Sequence, residues 1–262
     1  MPVFYDQMNN AVNLPETPTR IISIVPSQTE LLFDLALDGH IVGITKFCIH
    51  PVGKVKHATK IGGTKQLNLQ AIHKLQPDLI IANKEENEKS QVKELMKLYP
   101  VWISDIHDLH SALSMINKVG EITGKQTEAS TISNDIFKRF GYLKPTNKQT
   151  RVAYLIWRKP YMAAGQGTFI NSLLNLCGFK NVLAASRYPE VSKEELVAAD
   201  PEVILLSSEP YPFAQKHIDE FKKMLPHAKI LLVNGELFSW YGSRLLHSPA
   251  YFNKLIDKLI AM

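Results

Sequence analysis

Asn68-Leu-Gln-Ala-Ile-His-Lys-Leu-Gln-Pro-Asp-Leu-Ile-Ile-Ala-Asn-Lys-Glu85 is echoed by Ser192-Lys-Glu-Glu-Leu-Val-Ala-Ala-Asp-Pro-Glu-Val-Ile-Leu-Leu-Ser-Ser-Glu209 in the second half of the same chain. Both stretches read as an N-capped helix, a Pro-acid stop, a strand and a polar loop ending in glutamate. Asn68 and Ser192 are residue types whose side-chain oxygen accepts an orphan amide at a helix start. A proline fixes φ and has no N–H, so it cannot continue the helix. Leu79-Ile-Ile-Ala and Val203-Ile-Leu-Leu do not alternate apolar with polar, which suits strands covered on both faces of a parallel sheet. A chain that builds the same α/β lobe twice is expected to use the space between the lobes as a ligand cleft.

The parallel extends outward. Arg20-Ile-Ile-Ser-Ile-Val and Arg151-Val-Ala-Tyr-Leu-Ile-Trp open the two halves as buried strands. Helices follow at Thr29–Leu37 and Thr168–Leu176, ending near Gly39 and Gly178, as helix C-termini often do. Ile41-Val-Gly-Ile and Asn181-Val-Leu-Ala read as second strands, Glu88–Leu98 and Pro212–Leu225 as amphipathic helices, and Val101-Trp-Ile-Ser and Lys229-Ile-Leu-Leu-Val as closing strands. Alternating strands and helices in this order imply a parallel sheet with right-handed crossovers, built twice. From His107 to Tyr142 the pattern changes: there is no proline, and Leu109, Ala112, Leu113, Ile116, Val119 and Ile122 recur at helical spacing. One backbone helix of about 50 Å is expected there at 1.5 Å per residue, bent at Gly120 and Gly124. The expected fold is α/β, with two Rossmann-like lobes of parallel sheet (1–106 and 143–262) joined by one long backbone helix (107–142).

Of the 262 residues, 45% are hydrophobic and 21% charged, the balance of a folded globular chain. The formal charge of +5 comes from scattered lysines without a long basic run, a solvated surface and not a nucleic-acid footprint. Cys48 and Cys177 lack metal or redox spacing and read as two separate thiols. No stretch is long and apolar enough to span a bilayer. Met1–Asn10 has neither a basic n-region nor an apolar h-region, so the chain as written reads as cytoplasmic, or as periplasmic or cell-surface if a leader has been removed.

In open parallel sheets, ligands bind beyond the carboxyl ends of the strands. The loops expected there are Pro26-Ser27-Gln28, Lys46–His50, Asn83–Asn87 and Asp105 in the first half. In the second they are Trp157–Tyr161, Ser186–Pro189, Ser208–Tyr211 and Leu237–Arg244. They are rich in aromatic and arginine side chains, which give flat contact area and anion recognition. Phe47, Trp157, Trp240 and Tyr241 are expected to wall in a ligand, with Tyr161, Tyr188 and Tyr211 nearby. Arg158, Arg187 and Arg244 would meet its polar edge; Lys84, Glu85 and Glu209 would orient it. The bland alternative is that loop aromatics pack beneath the loops, and that Asn83–Asn87 is an acid-rich helix start favoured by the macrodipole. Gly165-Gln-Gly167-Thr168 lacks the third glycine and the lysine of a phosphate loop. No nucleophile elbow, His-Glu-x-x-His or Cys-x-x-Cys occurs. His50, His107 and His247 could join Glu209 around a metal only in an arrangement that no motif announces.

Arg20-Ile-Ile-Ser-Ile-Val-Pro-Ser-Gln-Thr-Glu-Leu, Leu69-x-x-Ile-x-x-Leu-x-Pro-Asp-Leu-Ile and Val191-Ser-x-Glu-Glu-Leu resemble the substrate-binding proteins of cobalamin and iron-siderophore ABC importers, the class with a helical backbone between two lobes. The resemblance runs from about residue 18 to the end. It implies a non-catalytic protein that holds a corrinoid such as cobalamin, or an iron chelate, between lobes with little hinge motion and no covalent cofactor. The Phe47, Trp157, Trp240 and Tyr241 loops match those that enclose the corrin in cobalamin-binding members. Family members that dock on a permease carry one glutamate on each lobe. The matching positions here are Gln70 and Glu194, and a neutral Gln70 cannot make the charge-assisted pair. The resemblance thus implies a small-molecule binder in which only Glu194 is suited to an ABC permease; the chain is expected to be a monomer. The other reading is a cytoplasmic metal-binding protein or an enzyme using the same cleft.

Overall fold

A computed structural model describes residues 2–261. It divides into two compact units. Unit 1 comprises Met1–Ile106, His110–Phe137 and Tyr241–Leu246; unit 2 comprises His107–Leu109, Lys138–Trp240 and His247–Met262.

Unit 1 begins with an antiparallel hairpin, β1 (Val3–Tyr5) and β2 (Ala11–Asn13). In its turn, Asp6 accepts the amides of Met8 and Asn10, and the Gln7 amide donates to the Ile103 carbonyl. The main sheet contains β3 (Ile21–Ser23), β4 (Ile41–Ile44), β5 (Thr59–Lys60), β6 (Leu79–Asn83) and β7 (Val101–Ser104), in the order β5-β4-β3-β6-β7 with every pairing parallel. Its helices are α1 (Pro26–Asp34), α2 (Leu69–Leu75) and α3 (Lys89–Leu95). The β1–β2 hairpin and β5 are additions to the sequence reading. Two polar residues without apolar alternation carry no strand signal, so β5 passes for loop.

Two details of α1 differ from expectation. Pro26, Ser27 and Gln28 form its buried first turn instead of a loop, because proline suits the opening turn of a helix. Gly39 does not end it; the left-handed residue is Ala36, φ 57°.

Residues 107–142 form two helices, not one. α4 (Leu109–Ile122) stops where Gly124 adopts φ +70° and the Lys125 amide reaches back 2.7 Å to the Gly120 carbonyl, a Schellman-type end. α5 (Gln126–Phe140) follows, touching α4 near the break: Ser133 Oγ donates to Asn117 Oδ1 at 2.9 Å. A Cβ on Gly120 would lie 2.2 Å from that of Ala129, so only glycine admits α5 there. The break falls at the glycines expected to bend the segment.

Unit 2 holds β8 (Arg151–Trp157), β9 (Met162–Ala163), β10 (Lys180–Asn181), β11 (Val203–Ser207) and β12 (Lys229–Val233). The order is β10-β8-β11-β12, all parallel, with β9 antiparallel to the end of β8. The helices are α6 (Phe169–Leu176), α7 (Lys193–Ala198), α8 (Gln215–Met224), α9 (Glu236–Ser239) and α10 (Ser248–Ala261). Gly178, φ +77°, follows the C-cap of α6.

The echo holds at the level of side chains. Asn68 caps α2 by accepting the Ala71 amide, and Ser192 forms a full capping box with Glu195 on α7. Gln76 and Asp200, just before the two prolines, are both left-handed, with φ 43° and 45°. Arg20 donates through Nη2 to the Leu75 carbonyl at 2.7 Å, and Arg151 to the Ala199 carbonyl at 2.6 Å. Each arginine therefore satisfies carbonyls left open at the end of its unit's echoing helix. The acid after each proline answers by accepting that arginine's amide: Asp78 from Arg20 and Glu202 from Arg151.

Cys48 and Cys177 are buried free thiols, one in each unit. Among the described residues, no helix is long and apolar enough to cross a membrane.

Candidate functional site

At the carboxyl edge of the unit 1 sheet, β4 runs into Lys46-Phe47 and β5 into the turn Gly62–Leu67. This turn is fastened on every side. The Lys46 amide donates to the Gly62 carbonyl at 2.8 Å, and the Gly63 amide to the Gln66 carbonyl at 2.8 Å. Gln91 accepts the Leu67 amide and donates to the Lys65 carbonyl. Lys65 Nζ spans to the carbonyls of Glu85 at 2.6 Å and Asn87 at 3.3 Å, joining the turn to the loop after β6. Gly62 has φ +101°, and a Cβ there would fall 2.5 Å from the Gln66 carbonyl oxygen. A Cβ on Gly63 would press on the Phe47 ring at 3.1 Å. The result is an open groove of about 860 Å³, with Lys46, Phe47, Thr64, Lys65 and Gln66 along it. That is within the size range of small-molecule sites, roughly 300–1,000 Å³. Phe47, expected from sequence, is 51% exposed; the Gly62–Gln66 turn was missed because its strand was missed.

Behind this groove, the ends of β6 and β7 hold buried amides. Asn83 Nδ2 donates to Ser104 Oγ at 3.0 Å, and its Oδ1 accepts the Glu85 and Glu86 amides. Asn87 accepts the Asn83 amide and donates to the Ile24 carbonyl. Asn83–Asn87 is thus a self-capped turn that sets the backbone of Glu85. Lys84 reaches Asp105 at 2.7 Å.

Segment Tyr241–Leu246 belongs to unit 1 and is held by three acids. The Tyr241 hydroxyl donates to Glu86, Ser243 donates to Asp34, and Arg244 makes a two-pronged pair with Glu30, Nε–Oε2 2.8 Å and Nη2–Oε1 2.5 Å. Both partners of that last pair are largely buried. Tyr241 is only 6% exposed, so its ring is packing and its hydroxyl a tether. Arg244, expected to meet a ligand's polar edge, is paired with Glu30, and a guanidinium fork matched to a carboxylate has little charge left to offer.

In unit 2, Trp157 ends β8 and is 39% exposed. Its ring meets Tyr211 edge-on, with centroids 5.7 Å apart, and Tyr211 continues into Phe213 and His217. Arg158 and Tyr161, on the turn between β8 and β9, converge on Glu220 of α8: Arg158 Nη2 lies 2.8 Å from Oε2, and the Tyr161 hydroxyl donates to Oε1 at 2.5 Å. Burial pushes Glu220 up, but the bonds from Arg158 and Tyr161 outweigh it and hold the carboxyl below its ordinary value. Burial, then the Glu220 bond, pushes the Tyr161 phenol up to about 12. Nothing along the sequence of α8 marks Glu220 or His217 for these roles. Buried His217 accepts the Ala214 amide on Nδ1 at 2.8 Å, which places the neutral ring's proton on Nε2, 3.2 Å from the Tyr211 hydroxyl. Burial first, then Arg158 and Lys216, keep its pKa below 6.5.

Trp240 is 6% exposed, and its indole N–H donates to Glu209 at 2.9 Å; Ser239 donates to the same oxygen at 2.6 Å. Glu209 therefore fixes the end of α9. Arg187 is exposed, with φ 67°, and donates to the Gly167 carbonyl; Tyr188 beside it is half-buried. Glu194 and Gln70 are exposed in the first turns of α7 and α2. Among the described residues, no group of three or more His, Cys, Asp or Glu side chains could hold a metal ion, so His50, His107, His247 and Glu209 are not gathered into one.

A chain with this topology and these strand-end loops has known relatives. The Pectobacterium carotovorum vitamin B12-binding protein is 24% identical over 237 residues, 87% of this chain and 85% of the relative. A periplasmic heme-binding protein from Pseudomonas aeruginosa shares the fold at a TM-score of 0.79 and 22% identity, over 91% of this chain and 92% of that one. The molybdate periplasmic binding protein MolA of Haemophilus influenzae does so at 0.82 and 15% identity, over 99% and 92%. Three different ligands on one fold show that the fold does not name the ligand. The model of the periplasmic binding protein family matches residues 21–227, most of the chain, and the chain belongs to that family.

Proposed function

We propose that this chain is a non-catalytic binding protein that captures a corrinoid such as cobalamin, or an iron chelate, on the loops at the carboxyl ends of its parallel strands. The observation that carries this reading is the exposure of two large aromatic faces, Phe47 after β4 and Trp157 at the end of β8. Flat rings open to solvent at strand ends suit a flat ligand, and the groove beside Phe47 lies in the volume range of small-molecule sites. Tyr211 would add contact area beside Trp157, while Tyr188 and exposed Arg187 stand on another strand-end loop of the same unit. Arg158, Tyr161, Glu209, Trp240, Tyr241 and Arg244 serve this reading from behind, by setting the loops. The relatives named above for vitamin B12 and heme support the ligand class.

Coupling to a transporter is a further part of the proposal. Exposed Glu194 could pair with a permease arginine, whereas Gln70 offers no charge. Any docking would then be charge-assisted on one unit alone.

Titration with cyanocobalamin and with iron(III) protoporphyrin, followed by tryptophan fluorescence, tests the function. Saturable quenching, reduced in Trp157→Phe, is the expected result. Absence of quenching by both ligands at high micromolar concentration would overturn it.

A further inference from the structure

Five of the cations on the strand-end loops fall into two kinds. Lys84 is paired with Asp105, Arg158 with Glu220 and Arg244 with Glu30. Each positive charge is answered by a carboxylate within 2.8 Å, so little of it is left for a ligand. Lys46 and Lys65 differ. Lys65 Nζ rests on two neutral carbonyls, those of Glu85 and Asn87. Lys46 Nζ stands 5.1 Å from the centroid of the Phe47 ring. Among the described residues, neither lysine pairs with a carboxylate. Both are exposed, and both line the 860 Å³ groove, which has no acidic residue in its wall.

An ammonium group anchored on carbonyls is held in place without being neutralised. One lying beside an aromatic face gains a weak attraction that leaves its charge intact. A groove whose other lining residues are glycine, threonine, glutamine, asparagine, leucine and one phenylalanine, with two such charges, carries a positive potential that draws anions and disfavours cations. The turn bearing Lys65 is fixed by Gln91 and by the bonds between Gly63 and Gln66, so the charge does not drift.

We infer that Lys46 and Lys65 receive the negatively charged edge of the ligand while Phe47 covers its apolar face, which selects a flat, carboxylate-bearing metal chelate over a neutral corrinoid. This rests on the binding function proposed above and assigns the anion-meeting role to two lysines in place of Arg158 and Arg244.

The test titrates the full chain with iron(III) protoporphyrin, which carries two propionates, with its dimethyl ester, which has the same ring without the charges, and with cyanocobalamin. The dicarboxylate is expected to bind most tightly and to weaken as salt rises from low to physiological strength. Lys46→Gln with Lys65→Gln should weaken it about tenfold, as expected for two partly exposed ion pairs, and weaken the ester and cobalamin distinctly less. Lys46→Arg with Lys65→Arg keeps the charges and should restore binding, which separates electrostatics from disturbance of the turn. Tighter binding of cobalamin or the ester than of the dicarboxylate, or no effect of the glutamine pair, would overturn the inference while leaving the binding function standing. Failure of all three ligands to bind would overturn both.

Discussion

The two sheets share four parallel strands in the same order and part company at the fifth. In unit 1 the extra strand, β5, is parallel and continues into the glycine turn that forms the groove. In unit 2 the extra strand, β9, folds back antiparallel on β8, and its turn sends Arg158 and Tyr161 to Glu220. The common strands carry the echo down to the arginines that close α2 and α7. The fifth strands carry the divergence. Repetition therefore built the frame, and departure from it made one edge an open groove lined by two lysines and the other an aromatic edge that pairs Arg158 with Glu220.

Substitutions should break this contrast in graded steps. The largest effect is expected from Arg244→Ala, which leaves Glu30 charged and largely buried, at about 3 kcal/mol of unfolding free energy in urea titration. A loss below about 1 kcal/mol would mean that the pair is a surface ornament and that Arg244 is available to a ligand after all. Next comes Gly62→Ala, where a left-handed backbone and a 2.5 Å clash coincide; about 2–3 kcal/mol is expected, with weakened ligand binding. Gly53→Ala is the control: its φ is +93° but the space is open, so only the strain of about 1–2 kcal/mol applies. Equal losses at the two glycines would show that the groove turn is not tightly packed. Glu220→Ala should cost about 1–2 kcal/mol by orphaning Tyr161 and Arg158, and should leave the unit 1 groove intact.

The smallest effect is a pH dependence. His217 is neutral in the fold with a pKa held below 6.5, so its contribution is fully present above that value. As pH falls below 6.5, the unfolded chain takes up the proton first, and stability is lost down through the folded pKa. Protonation also removes the acceptor for the Ala214 amide. The slope of stability against pH should flatten over this window in His217→Gln. An unchanged slope would exclude His217 as its source.

Much of the frame was legible because it rests on rules of the backbone. Non-alternating apolar runs, N-cap residues and Pro-acid stops gave β3, β6, β8, β11, α2 and α7 close to their true places. The break at Gly124 that divides 107–142 into two helices is not visible in the periodicity, which reports which face is apolar and not where the backbone turns. The site was less legible. Exposed loop aromatics were visible as a class, but sequence could not separate Phe47 and Trp157, which face solvent, from Trp240 and Tyr241, which are anchored by Glu209 and Glu86. Nor could it show which cations already had partners. Glu30, Asp105 and Glu220 lie far along the chain from the arginines and lysine they neutralise, and only the fold brings them together.

Hydrogen exchange of the chain with and without saturating iron(III) protoporphyrin tests the central claim most directly. Ligand capture at the strand ends predicts slowed exchange in 46–50 and 62–67 of unit 1 and in 157–161 and 208–214 of unit 2, with the strands' amino ends unchanged. Protection confined to the opposite ends of the sheets, or none at a concentration that quenches Trp157, would contradict it.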